Sequence, residues 1–130
     1  MRKGPILAID FDNTIAYSPE YPKISGIVPD VDKALFSLKD MGCFFILWTC
    51  RTGKNLSHAI DWVEKNLFPF DAYNENLPKS IYSPMPKIYA DFYIDDRNIG
   101  AERGTVKHYW DMVIKDVYFW IDQRKWMEEG

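Results

Sequence analysis

Asp10 and Asp12 stand two residues apart at the end of an apolar run, in the stretch ILAIDFDNT at 6–14. Two carboxylates leaving a buried strand together repel each other and lose hydration. At about 4 Å and an effective dielectric near 20 the repulsion costs on the order of 4 kcal/mol. A divalent cation bound through oxygen offsets it, and Mg²⁺ is the usual one where phosphate is handled. With the cation in place, one carboxylate can attack a phosphoryl group and form an aspartyl-phosphate. A second can give a proton to the leaving oxygen and take one from water. A hydroxyl and an ammonium can hold the phosphoryl oxygens. The chain offers each of these: Asp10 and Asp12, the hydroxyl of Thr49, the ammonium of Lys87, and the adjacent acids Asp95 and Asp96 as further metal ligands.

These groups are far apart in sequence, so elements must gather them. Residues 6–11 read as a strand with no polar alternation, buried on both faces as in a helix-covered parallel sheet. Residues 15–29 carry Pro19, Pro22, Gly26 and Pro29 and read as a loop or short hairpin, a candidate flap. A helix spans 30–41, with Asp30 as N-cap, Val31, Ala34, Leu35, Leu38 and Met41 at helical spacing, and Gly42 as its stop. Residues 43–49, CFFILWT, form a second buried strand, followed by a helix over 56–67 that Pro69 ends. A short strand at 70–73, a proline-rich loop at 77–86, a strand at 87–95 and a loop at 97–104 follow. The closing helix has one apolar stripe, Val106, Trp110, Val113, Val117 and Trp120; Tyr109, Phe119 and Trp126 lie off it and point to a homo-oligomer through exposed aromatics. Strand–helix alternation predicts a three-layer α/β/α sandwich with a parallel, Rossmann-like sheet, one domain over 1–130 and no cap domain. In such sheets ligands bind beyond the carboxyl ends of the strands. Asp10 and Asp12, Thr49, Asn74 and Glu75, and Asp95 and Asp96 all fall at such ends.

The bulk numbers narrow the function classes. With 130 residues, 47% of them hydrophobic, the chain can bury a full core. A net charge of −3 argues against nucleic acid as the main partner. Cys43 and Cys50 end up about 23 Å apart along one strand, too far for a disulfide. Free thiols fit a reducing, cytoplasmic setting. The apolar run after Arg2 and Lys3 breaks at Asp10, too soon for a signal peptide or a membrane span.

DFDNT, the strand ending in Thr49, Lys87 and the Ile94–Asp96 triplet together resemble, in order and spacing, the four motifs of the haloacid dehalogenase-like hydrolase superfamily. The resemblance covers 6 to about 100. It implies Asp10 as nucleophile and metal ligand, and Asp12 as general acid/base with its backbone carbonyl on Mg²⁺. It further implies Thr49 and Lys87 on the transferring phosphoryl group and Asp95, with Asp96, on the metal. The second acid of the motif favours phosphatases over dehalogenases. Asn13 stands where that family often has glycine. Neither 15–29 nor 74–86 is long enough to fold as a cap, so the expected protein is a capless phosphatase acting on a small-molecule phosphomonoester.

Alternatives stand beside this reading. Lys79 rivals Lys87 as the phosphate lysine. Asp91 shares a strand face with Asp95 and rivals it as a ligand, though it lies about 13 Å back along the strand. Arg51 and Arg97 are each either clamps for a substrate anion or surface ion-pair partners. Asn74 and Glu75 read more as turn residues than as substrate contacts. His58 and His108 are isolated. A non-catalytic, phosphate-binding or regulatory module on the same fold is the alternative to an enzyme. A receiver-type signalling domain fits poorly, because its acidic pair precedes the phosphorylated aspartate.

Overall fold

The computed structural model describes residues 2–78, 86–101 and 106–129, the side chains of 106–108 and 126–129 excepted. Lys79 and the side chains of His108 and Trp126 lie outside the described residues. In chain order the elements are β1 (Ile6–Ile9), β2 (Ala16–Tyr17), β3 (Gly26–Ile27), α1 (Val31–Asp40), β4 (Phe44–Leu47), α2 (Gly53–Asn66), β5 (Ala72–Tyr73), β6 (Phe92–Ile94) and α3 (Val106–Glu129). Four of the strands form one parallel sheet in the order β5-β4-β1-β6. The fold is thus a mixed α/β, Rossmann-like arrangement in three layers.

Topology explains the layers. From β1 the chain moves outward through α1 to β4 and through α2 to β5, then returns past β4 and β1 to reach β6. Right-handed crossovers in opposite directions must cover opposite faces. On one face Leu7, Ile9, Phe45, Leu47 and Ile94 pack against Val31, Leu35 and Leu38 of α1, Ala59 and Val63 of α2, and Trp110, Val113 and Val117 of α3. On the other, Ala8, Ile46 and Ala72 meet Ile88 and Ala90. Among the described residues the third layer is therefore carried by the return segment, not by a helix. Each fully buried aliphatic contributes roughly 1.5–3 kcal/mol, so the helical face dominates stability.

Local details depart from the sequence pattern for physical reasons. Gly42 ends α1 with φ +87°, as a C′ glycine should. Asp30 sits at the N-cap position, but at φ +67° its side chain makes no capping bond. Helix α2 begins at Gly53, three residues before the apolar periodicity starts at Leu56, because its first turn is polar. The last strand pairs only over Phe92–Ile94: Ile88 and Ala90 lie face-on to the sheet instead of extending it. Residues 15–29 do form a hairpin, with Ala16 opposite Ile27 and Tyr17 opposite Gly26. Of the off-stripe aromatics, Phe119 is exposed while Tyr109 packs against the core. No described helix is long and apolar enough to cross a membrane.

Candidate active site

The parallel register brings the exits of β1, β4, β5 and β6 to one edge of the sheet. Just past them lies a cleft of about 410 Å³, lined by Asp10, Asp12, Asn13, Ser18, Tyr21, Thr49, Cys50, Asp95, Asp96 and Arg97. Ser18 and Tyr21 come from the hairpin, which forms one wall.

Asp10, Asp95 and Asp96 each place a carboxylate oxygen within 4.8 Å of the other two. The backbone sets this cluster: the Asp10 N–H donates to the Ile94 carbonyl (2.8 Å), holding the exits of β1 and β6 side by side. Thr14, buried, links the two loops. Its hydroxyl donates to Asp10 Oδ2 (3.1 Å) and accepts the Asp96 N–H (2.9 Å). The Arg97 N–H donates to Asp95 Oδ1 (2.9 Å). Crowding has the expected electrostatic cost. Loss of hydration, and then the charge of Asp95, push the Asp10 carboxyl up to about 7, against the weaker pull of the Thr14 hydroxyl. Asp96 is raised as well, first by desolvation and then by its hydrogen bond with Asp95. Three hard oxygen donors whose mutual repulsion raises a proton affinity fit a small divalent cation.

Asp12 is placed differently. Its side chain leaves the acidic cluster and forms a two-pronged ion pair with Arg51: Nε donates to Oδ2 (2.9 Å) and an Nη to Oδ1 (2.7 Å). Arg51 is completely buried. Its guanidinium also donates to the carbonyls of Pro22 (3.0 Å) and Asn55 (3.4 Å), and lies between the rings of Phe11 and Tyr21 at 5.1 and 4.9 Å. This corrects the expectation of a clamp on a substrate anion: Arg51 is committed inside the protein and does not line the cleft. A charged residue next to a strand exit gives no sequence sign that its partner is another site residue.

The remaining expected residues divide. Thr49 lines the cleft, its hydroxyl accepting the Arg51 N–H at 3.2 Å. Arg97 lines it too. Lys87 does not: it is exposed, its ammonium is 5.7 Å from the Tyr93 ring centre, and its carbonyl accepts from Asn76. Asp91 is at the opposite end of the sheet, where it accepts the Ile6 N–H at 2.8 Å. Asn74, at φ +55°, braces the β4 exit by accepting the Thr49 N–H (2.8 Å), so its role is structural. Glu75 and His58 are exposed and outside the cleft lining. Asn13 adopts φ +61°, the left-handed conformation that glycine or asparagine tolerates. Its side-chain oxygen accepts the Ser18 N–H (3.1 Å), anchoring the hairpin.

Three cleft residues escaped the sequence reading. Cys50, read as core filler, is exposed and lines the cleft beside Thr49. Tyr21 and Ser18 sit in a proline-rich loop with no periodicity to place them. Ser18 Oγ is buried and has no hydrogen-bond partner among the described residues.

No protein-family model and no curated protein matches this chain. Among solved structures, a conserved protein from Bacteroides thetaiotaomicron is 31% identical and superposes with a TM-score of 0.74, over 88% of this chain and 93% of that one.

Proposed function

The chain belongs to the family of that Bacteroides thetaiotaomicron conserved protein, and from the site's chemistry we propose that it is a Mg²⁺-dependent phosphatase acting on a small-molecule phosphomonoester through an aspartyl-phosphate on Asp10. The observation that carries this reading is the Asp10, Asp95 and Asp96 cluster at the carboxyl edge of a parallel sheet. Asp10, Asp95 and Asp96 would hold the cation, which when bound neutralises the carboxylates and the incoming phosphate dianion.

The chain's residues then divide the work. Thr14 fixes the rotation of the Asp10 carboxylate. An Asp10 oxygen attacks phosphorus, the bond from phosphorus to the leaving oxygen breaks, and that oxygen takes a proton from Asp12. Thr49, at the β4 exit, supplies a hydroxyl for a phosphoryl oxygen. Asp12 next takes a proton from water as the water oxygen attacks phosphorus, releasing phosphate and restoring Asp10. The same residues support the resemblance to haloacid dehalogenase-like hydrolases as a proposal about ancestry.

The test is hydrolysis of p-nitrophenyl phosphate and a panel of natural phosphomonoesters, with Mg²⁺ and with EDTA, beside Asp10→Ala. Turnover that needs both Mg²⁺ and Asp10 is expected. Absence of turnover across the panel would remove the reading. One observation favours the rival, a phosphate-binding module without turnover: both oxygens of Asp12 are occupied by Arg51.

A further inference from the structure

Arg51 joins two things that a phosphatase needs to coordinate. Its Nε and one Nη fix the plane of the Asp12 carboxylate. The same Nη that donates to Asp12 also donates to the Pro22 carbonyl in the hairpin wall of the cleft, and the Tyr21 ring packs against the guanidinium. The hairpin's base is held by the Asn13–Ser18 bond and by Ile24 and Ile27 against the core, and its tip turns on a Lys23 N–H to Glu20 carbonyl bond. The hairpin has two-residue strands, and the segment from 19 to 23 is exposed. A buried guanidinium with these partners is a strong, directional tie. Ser18, on the same wall, gives a ligand something to engage: a cleft-lining hydroxyl that is buried and has no partner among the described residues. A substrate that displaces the hairpin therefore moves the Pro22 carbonyl and Tyr21, and with them the group that holds Asp12.

We propose that Arg51 is a positioning residue that couples the hairpin at 15–29 to the acid/base Asp12, so that the leaving group is offered a proton only when it has engaged the hairpin. This rests on the phosphatase reading. Arg51 touches neither substrate nor phosphorus; it acts through Asp12. It also answers the rival reading, since the ion pair that occupies Asp12 becomes its means of control.

The coupling has a signature that a purely structural role lacks. An alkyl phosphate needs a proton on its leaving oxygen, whereas nitrophenolate departs as a stabilised anion. Arg51→Met is expected to slow the first, ester-cleaving step of an alkyl phosphate, read as the single-turnover release of the alcohol, on the order of 10²-fold, and that of p-nitrophenyl phosphate by less than about fivefold, while the water-attack step that both esters share slows alike. Arg51→Lys keeps the charge but not the fork, and should fall between; it also serves if the methionine variant fails to fold. Equal losses of that first step on both esters, or a rise in KM with both steps unchanged, would overturn the proposal. The second arm does not depend on turnover. Amide hydrogen exchange at 18–25 should accelerate in Arg51→Lys and in Asp12→Asn, which lies outside that segment. An unchanged hairpin would overturn the coupling. Should the wild type hydrolyse neither ester, the phosphatase reading falls and takes the positioning role with it, while the exchange arm still reports whether the tie exists.

Discussion

Asp12 with its Arg51 partner apart, the two ends of the sheet treat carboxylates in opposite ways. At the amino end Asp71 and Asp91 have donors. Asp71 receives both prongs of the Arg2 guanidinium, at 3.0 and 2.8 Å, and the Phe45 N–H at 2.8 Å. Asp91 receives the Ile6 N–H. These side chains stand in for missing ladder partners where the strands begin, and they serve stability. At the carboxyl end Asp10, Asp95 and Asp96 face one another, with the Thr14 hydroxyl and one backbone N–H as donors. Lost hydration, and then the charge of Asp95, raise Asp10 to about 7 at that edge. The same residue type, a few strand residues away, is satisfied in one place and left for a ligand in the other.

The sharpest way to break this comparison is Asp10→Asn. It keeps the shape and removes the proposed nucleophile, so on the phosphatase reading turnover should fall by at least about 10³-fold. The metal-free protein should become more stable, since one of three clashing charges is gone. A thermal melt of the variant in EDTA checks this; a lower Tm would mean that the cluster is stabilising without a cation.

Next in size is the joint dependence on pH and metal. Asp10 binds its proton more tightly folded than unfolded, because its value rises from 3.8 to about 7. Between those two values the folded state therefore holds more protons, and stability declines as pH rises through that window. In EDTA the Tm should drop from pH 5 to pH 8. Added Mg²⁺ should raise the Tm more at pH 8 than at pH 5, because it competes with the proton for Asp10. A Mg²⁺ effect independent of pH would place the cation elsewhere.

At the amino end, Asp71→Ala should act on stability alone. It leaves the Phe45 N–H without its acceptor, at a cost of about 1–3 kcal/mol by urea denaturation, with kcat per folded molecule unchanged. Ser18→Ala should do the reverse on a smaller scale. Removing a buried, unpartnered hydroxyl is neutral or stabilising by about 1 kcal/mol. On the phosphatase reading, the KM for the natural ester should rise, because the hydroxyl would otherwise pair with substrate.

How much of this was legible in the sequence follows from what periodicity can see. Strand exits are visible, since ILAI and FFIL stop abruptly at polar residues; hence Asp10, Thr49 and Asp95 were found at one edge. The polar first turn of α2 carries no apolar signal. The segment KIYAD alternates like a strand, yet Ile88 and Ala90 point onto the sheet face, and pairing waits until Phe92. Arg51 was the larger miss. A charged residue is expected at the surface or on a ligand, and only the fold reveals that Asp12, Phe11, Tyr21 and Pro22 converge around it.

Lys87 gives the smallest expected effect and the finest discrimination. The resemblance assigns its ammonium to the phosphoryl group, yet here it is exposed over the Tyr93 ring. An exposed cation–π contact is worth about 0.5–1 kcal/mol, so Lys87→Met should change stability by no more than that. Its carbonyl, though, is tied to Asn76, just past the β5 exit, and the next N–H but one, that of Tyr89, donates to the same side chain at 2.7 Å. The backbone is thus anchored at the carboxyl edge while the side chain points away. If the ammonium rotates onto bound phosphate, Lys87→Met will lose kcat/KM while its Tm stays within a few degrees of wild type. If the cleft relies on Arg97 for positive charge, Arg97→Met will show that loss and Lys87→Met will not.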